Sequence, residues 1–200
     1  MSKIITIGRQ FGSGGRELGK RLADELGLRY YDKEILSEIA NQTSMSEEYV
    51  SNIIEQAPKR SYPITIGHSF AFSDNYYMMQ MQSVYLAQDK IIRQLASDSD
   101  CIIIGRCADY ILRDMNPCRI FVYASMQSRI DRCIQRALEG ENITEKEMKK
   151  KINEIDKNRS RYYGFYTGRT WGDINNYDVC INTSGKVIKD LVPGIAKLLG

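Results

Sequence analysis

A glycine-rich run, Gly12-Ser13-Gly14-Gly15, is followed at once by Arg16 and Glu17. Glycines this closely spaced let the backbone curl until several N–H groups face one point, which suits a phosphate. Arginines recur further along: Arg106 after Gly105, then Arg129, Arg132 and Arg136 at i, i+3 and i+7, then Asp156-x-x-Arg159-x-Arg161. A guanidinium grips phosphate oxygens in pairs, and a carboxylate three residues earlier can position it. Phosphate binding and phosphoryl transfer is the chemistry these residue types share.

Each residue also has a plainer use. The run departs from the Walker A pattern Gly-x-x-x-x-Gly-Lys-[Ser/Thr], because Gly15 and Arg16 follow Gly14. Arg16 is the candidate to supply the missing positive charge. Glu17 brings a carboxylate towards the metal position or lies on the outside of its helix. Asp32 either orients a substrate hydroxyl or caps the helix that opens at Lys33. Arg106, at the end of an apolar run, is placed for a phosphate contact. The face shared by Arg129, Arg132 and Arg136 is also what a solvated helix face looks like.

The elements that must position these groups follow from hydrophobic periodicity. Ile4 to Ile7 reads as a strand ending at Gly8, and Leu18, Leu22, Ala23 and Leu26 recur at helical spacing until Gly27. Strand, glycine loop, helix is the context a phosphate site requires. Further strands are expected at 28–31, 101–105, 119–124 and 178–182, separated by helices from 33, from 46, over 76–96, from 125 or 128, from 144 and over 187–199. Thr144 and Glu147 are spaced as a capping box. The unbroken runs Cys101–Gly105 and Arg119–Ala124 suit strands buried on both faces. Residues 58–75, with two of the four prolines and the single histidine, His68, read as an irregular excursion, and 162–176 as a loop. Of the Met78-Met79-Gln80-Met81 cluster, core filling is the favoured reading over ligand-facing surface. Alternating strands and helices imply a parallel sheet with its ligands beyond the carboxyl ends of the strands.

Composition narrows the classes. Two hundred residues with 42% apolar and 26% charged content suit one α/β domain. A net charge of +3 does not argue for nucleic acid. Between Arg129 and Arg169, however, eleven Lys/Arg face seven Asp/Glu, an excess of +4 that suits a polyanionic small ligand. The five cysteines form no C-x-x-C pair, and one histidine leaves no His/Cys metal cluster. The chain enters a strand at once and contains no membrane-length apolar run, so a cytoplasmic protein is expected. A homo-oligomer is allowed but not indicated.

Taken together, these residues resemble the cytidylate-kinase-like branch of the P-loop nucleoside monophosphate kinases, over nearly the whole chain. The landmarks are Gly12–Leu18, Tyr30-Tyr31-Asp32-Lys33-Glu34-Ile35, Ile103-Ile104-Gly105-Arg106, Phe121–Ala124 with Arg129, Asp156-x-x-Arg159-x-Arg161-Tyr162-Tyr163, and Asp178–Thr183. The resemblance implies a P-loop kinase three-layer α/β sandwich with a five-stranded parallel sheet, a helical insertion and a lid. It implies one domain, with core segments 1–33, 84–139 and 171–200, an acceptor-binding insertion over 34–83 and a lid over 140–170. It implies a small-molecule nucleotide as partner, with ATP and Mg2+. Gly12, Ser13, Gly14, Gly15, Arg16 and Glu17 then hold the donor. Asp32, Arg106, Asp156, Arg159 and Arg161 meet the acceptor or the lid, with Asp156 on the acceptor sugar. Arg16, Arg106, Arg129 and Arg159 are the candidate catalytic residues. Four positions depart from the family pattern: Gly15 for the lysine, Ile104 for an acidic residue, Ile152 for an arginine, and Lys33 as the basic residue left after Asp32. Two further readings stand beside a nucleotide kinase: a nucleotide-binding sensor that has lost transfer, and a kinase acting on a non-nucleotide metabolite.

Overall fold

The computed structural model describes residues 3–56, 71–137 and 143–199. Five parallel strands form one sheet in the order β2-β3-β1-β4-β5: β1 (Ile4–Arg9), β2 (Arg29–Tyr31), β3 (Cys101–Ile104), β4 (Cys118–Tyr123) and β5 (Val179–Asn182). Between them run α1 (Gly15–Leu26), α2 (Glu34–Thr43), α3 (Glu47–Gln56), α4 (Ala71–Asp98), the short α5 (Ala108–Ile111), α6 (Met126–Gln135), α7 (Glu145–Thr167) and α8 (Ile188–Leu199). The expected P-loop kinase-like α/β sandwich is present.

The period-two alternation of the strands divides the core. Ile5, Ile7, Ile102, Ile104, Ile120 and Val122 face α1 and α8, meeting Leu18, Leu22, Ile188 and Val192. Ile4 and Ile103 face the other layer, with Ile35, Ile39, Val84, Ile92 and Tyr163. Each fully buried Leu or Ile contributes about 1.5–3 kcal/mol, so both faces of the sheet are heavily anchored. With β1 flanked by β3 and β4, the crevice opens where the carboxyl ends of these three strands diverge.

Three expectations change. The long helix begins at Ala71 rather than Tyr76, so 71–75 leave the expected excursion, whose remainder with His68 lies outside the described residues. Helix α7 continues through the supposed loop to Thr167, where Gly168 adopts φ +68° and donates its N–H to Gly164 O. Aromatic packing carries that extension: Tyr166 stacks on Tyr85 with centroids 4.0 Å apart, and buried Tyr162 donates to Gln88 Oε1 at 3.3 Å. Methionine behaviour is divided, with Met81 buried while Met78 and Met79 are exposed. The Thr144–Glu147 capping box forms as expected, and Ser125 caps α6 by accepting from Ser128 N.

Candidate functional site

The β1–α1 loop is a tight cradle. Gly12 and Gly14 take φ of +75° and +81°, a region open to glycine at little cost. Ser13 is buried and spends its hydroxyl on Gln10 O at 2.8 Å, so it serves the loop's own shape. The amides at the start of α1, which begins at Gly15, have no intrahelical acceptor, as at any helix start.

Arg129 and Arg132 are not on a solvated face, whereas Arg136, just past the end of α6, is exposed. Arg129, with 4% of its surface exposed, donates Nε to Phe11 O at 2.6 Å and pairs closely with Asp156 of α7. Asp156 in turn accepts from Phe11 N at 2.8 Å. Arg132 reaches Thr183 O, Thr183 Oγ1 at 3.2 Å and Lys186 O at 3.0 Å, and Arg136 pairs with Glu17. Thr183 Oγ1 also donates to Ser13 O at 2.7 Å. Arg129, Asp156 and Thr183 hold the loop backbone, while Arg132 and Arg136 also line the cavity that covers it. Asp156, read as a sugar contact, and Arg129, read as a phosphate contact, hold loop backbone here. Glu17 lies on the outer side of α1, paired with Arg21 at 2.9 Å and with Arg136, as its plainer reading has it.

A second group of arginines lies in front of the loop. Arg16 Nε meets Asp32 Oδ2 at 2.5 Å, and Arg9 Nη2 lies 3.9 Å from Asp32 Oδ1. Arg106 Nε donates to Asp32 O at 3.3 Å, and Arg159 Nη1 to Arg9 O at 3.2 Å. Asp32 is therefore an ion-pair centre and not a cap; α2 has no side-chain cap at its start. Burial, then the charges of Arg159, Arg106 and Arg16, push Arg9 down to about 9, partly offset by Asp32. Such crowding of cations is an arrangement an anion relieves.

Arg106 is held in an unusual backbone. Gly105, Arg106 and Cys107 have φ of +69°, +55° and +54°, a left-handed run that costs about 1–3 kcal/mol per non-glycine residue. Buried Gln88 of α4 fixes it by donating to Arg106 O at 3.0 Å. The turn aims the arginine back across the strand ends.

Two cavities meet at this group. One, of about 440 Å3, covers the loop and includes Phe11, Gly12, Arg132 and Lys151. The other, of about 410 Å3, lies between β3, α3 and α7 and includes Lys33, Arg106, Asp109 and Trp171. Each is large enough for a small organic ligand. Arg9, Arg16, Ile155 and Arg159 line both. Asp109 is buried in the second wall, where it accepts from Tyr163 OH at 2.6 Å and burial pushes its carboxyl up. Arg161 is exposed on α7 and lines neither cavity.

The model of the cytidylate kinase-like family matches residues 4–185. The chain belongs to that family. It is 26% identical over 194 residues to a cytidylate kinase of Methanopyrus kandleri, covering 92% of this chain and 86% of that one. It is also 26% identical over 182 residues to a cytidylate kinase of Pyrococcus horikoshii, covering 90% and 80%. Among solved structures, an uncharacterized protein from Eubacterium ventriosum is similar at 27% identity and TM-score 0.71, covering 99% of this chain and 98% of that one. A shikimate kinase from Bacteroides thetaiotaomicron shares the fold at 14% identity and TM-score 0.57, covering 98% of each chain.

In this member of the cytidylate kinase-like family, Arg9 lines both cavities and Asp109 and Trp171 line the second, three residues that the sequence alone does not single out. Arg9 had a signal, since it ends the strand that feeds the loop. Asp109 and Trp171 had none, because their place follows from turns after β3 and α7. The side chains fit poorly to a protein-held Mg2+. The Walker hydroxyl position is Arg16, the end of β3 is Ile104, and Asp32 is engaged by Arg16 and Arg9. Among the described residues no cluster of three or more His, Cys, Asp or Glu could hold a metal, and no helix is long and apolar enough to cross a membrane.

Proposed function

We propose that the chain transfers the terminal phosphoryl group of ATP to a nucleoside monophosphate of the CMP or dCMP kind, or to a related small molecule. The observation that carries this reading is the pair of cavities opening on the same guanidiniums of Arg9, Arg16 and Arg159. The loop from Gly12 to Arg16 takes the donor phosphates in the first cavity. Arg106, Arg159 and Lys33 take the acceptor phosphate in the second.

The chemistry suits an arginine-lined crevice. An acceptor phosphate oxygen is already ionised near neutral pH and needs no general base, so the residues act by positioning and by neutralising charge on the transferring group. That group breaks its bond to the β-phosphate oxygen as the acceptor oxygen bonds to it, and the arginines face both oxygens. The expected result is ADP release with CMP or dCMP exceeding that with UMP, AMP or a metabolite panel, accompanied by ATP binding in calorimetry. ATP binding with no turnover on any acceptor would defeat the enzyme reading. It would favour the nucleotide-binding sensor, for which Gly15 and Ile104 speak.

A further inference from the structure

The Walker pattern opens on a glycine, repeats glycine five residues later and follows it directly with lysine. Gly14 matches the second glycine. Five residues before it stands Arg9, and directly after it stands Gly15. The two mismatches are complementary in type, a cation where the motif has glycine and a glycine where it has the cation.

They are also joined in space. A Cβ added to Gly15 would lie 2.6 Å from Arg9 Cβ and 3.1 Å from Arg9 Cγ, so the stem of Arg9 fills the room where a side chain at 15 would begin. The head continues over the end of β3, where a Cβ on Gly105 would fall 1.7 Å from Arg9 Nη1. From there it reaches the divide between the two cavities, 3.9 Å from Asp32. Glycine at 15 leaves the stem its room, and glycine at 105 lets the head lie where it does. Arg16, by contrast, is 56% exposed in its side chain and turns its Nε onto Asp32.

We propose that Arg9 is the phosphate-binding cation of this loop, delivered from β1 into the place a Walker lysine reaches from the helix, so that cation and glycine have exchanged positions. Its ligand is the terminal phosphate region of a nucleoside triphosphate; the inference rests on the kinase reading above and names the residue that grips its donor. A guanidinium in this place offers two parallel donors to adjacent oxygens, where an ammonium offers a point charge. Burial among Arg16, Arg106 and Arg159 makes the position costly for a cation until an anion arrives. A residue kept there for stability alone would be an unlucky choice.

The test compares wild type, Arg9→Ala, Arg9→Gly, Gly15→Lys and the double variant Arg9→Gly/Gly15→Lys, by ATP calorimetry, ADP release with CMP, and thermal melting. Arg9→Ala should weaken ATP binding about 10- to 100-fold and lower turnover about 10²–10³-fold, with a melting temperature equal to or above that of wild type. Gly15→Lys alone meets the Arg9 stem and should lose affinity. The double variant should regain at least about tenfold of the affinity lost in Arg9→Gly, because the lysine enters vacated space. Arg9→Ala suffices if the double variant does not fold. Unchanged ATP affinity in Arg9→Ala, or lost affinity together with a lowered melting temperature, would overturn the assignment. A wild type that binds no ATP would overturn the kinase reading first, and the assignment with it.

Discussion

Two groups of arginines flank the same loop and do different work. On the α6 side, Arg129, Arg132 and Arg136 are matched to specific acceptors: Phe11 O and Asp156, Thr183 and Lys186, and Glu17. In front of it, Arg9, Arg16, Arg106 and Arg159 crowd the Asp32 end of the crevice, close enough that three of them help push the fourth down to about 9. The first group is tied to loop and helix acceptors. The second is a crowd of cations around one carboxylate. An arginine in a phosphate-binding fold is therefore not a phosphate ligand by type; its surroundings decide.

The comparison is most exposed at Arg129. Arg129→Ala should cost about 3 kcal/mol in chemical denaturation, because it removes the close partner of the Asp156 carboxylate and leaves it only the Phe11 amide and Arg159 at 3.9 Å. Asp156→Asn should cost a similar amount, with the double variant well short of the sum. Undiminished stability in Arg129→Ala would move that residue to the front group. Arg159→Ala should show the opposite balance. Its loss costs about 0.5–1.5 kcal/mol of stability but at least about 10²-fold in turnover. Equal losses of stability for Arg129→Ala and Arg159→Ala would erase the distinction between the groups.

A pH series sharpens it further. Arg9 has a depressed pKa in the folded state, about 9 against 12.5 for the free side chain. Between those values the unfolded chain binds more protons, so the Arg9 contribution to stability rises with pH above about 9. Below that the full penalty of burying the cation applies. Arg9→Met should therefore be more stable than wild type at pH 7, with the advantage narrowing above pH 9 in paired denaturation curves. A constant difference across the range would remove the repulsion argument. The smallest effect is expected at Glu17, whose ion pairs lie on the rim. Glu17→Gln should change stability by less than about 1 kcal/mol and leave the Mg2+ dependence of turnover unchanged. A shifted Mg2+ titration would return its carboxylate to the metal.

How much was legible in advance differs by element. The strands were plain because β3 and β4 are unbroken apolar runs, and α1 because Leu18, Leu22 and Ala23 repeat at its period. Helix α7 was cut short in the reading because Gly164 and its aromatic neighbours look like a loop when taken alone. Only the partners, Tyr85 and Gln88 on α4, show why that stretch stays helical. The crevice residues Gly12 to Arg16 and Arg106 were recognisable by type and by position at strand ends, and Arg159 by its Asp-x-x-Arg spacing on a helix. The task of Asp156 was not, since a carboxylate at i, i+3 from Arg159 also lies within reach of Arg129 and of the Phe11 amide, both distant in sequence.

By itself, then, the sequence determined a parallel α/β domain with a phosphate-suited loop and several arginines at the correct end of the sheet. Local periodicity and glycine spacing are enough for that, because they act through neighbours in the chain. Tertiary structure alone decided which arginines are tied to loop backbone and which line both cavities, and that the side chain missing at Gly15 has its room taken by Arg9. A guanidinium sits at the end of a long stem, and its role depends on acceptors brought to it from elsewhere in the chain, as far as the 150 residues between Arg159 and Arg9 O.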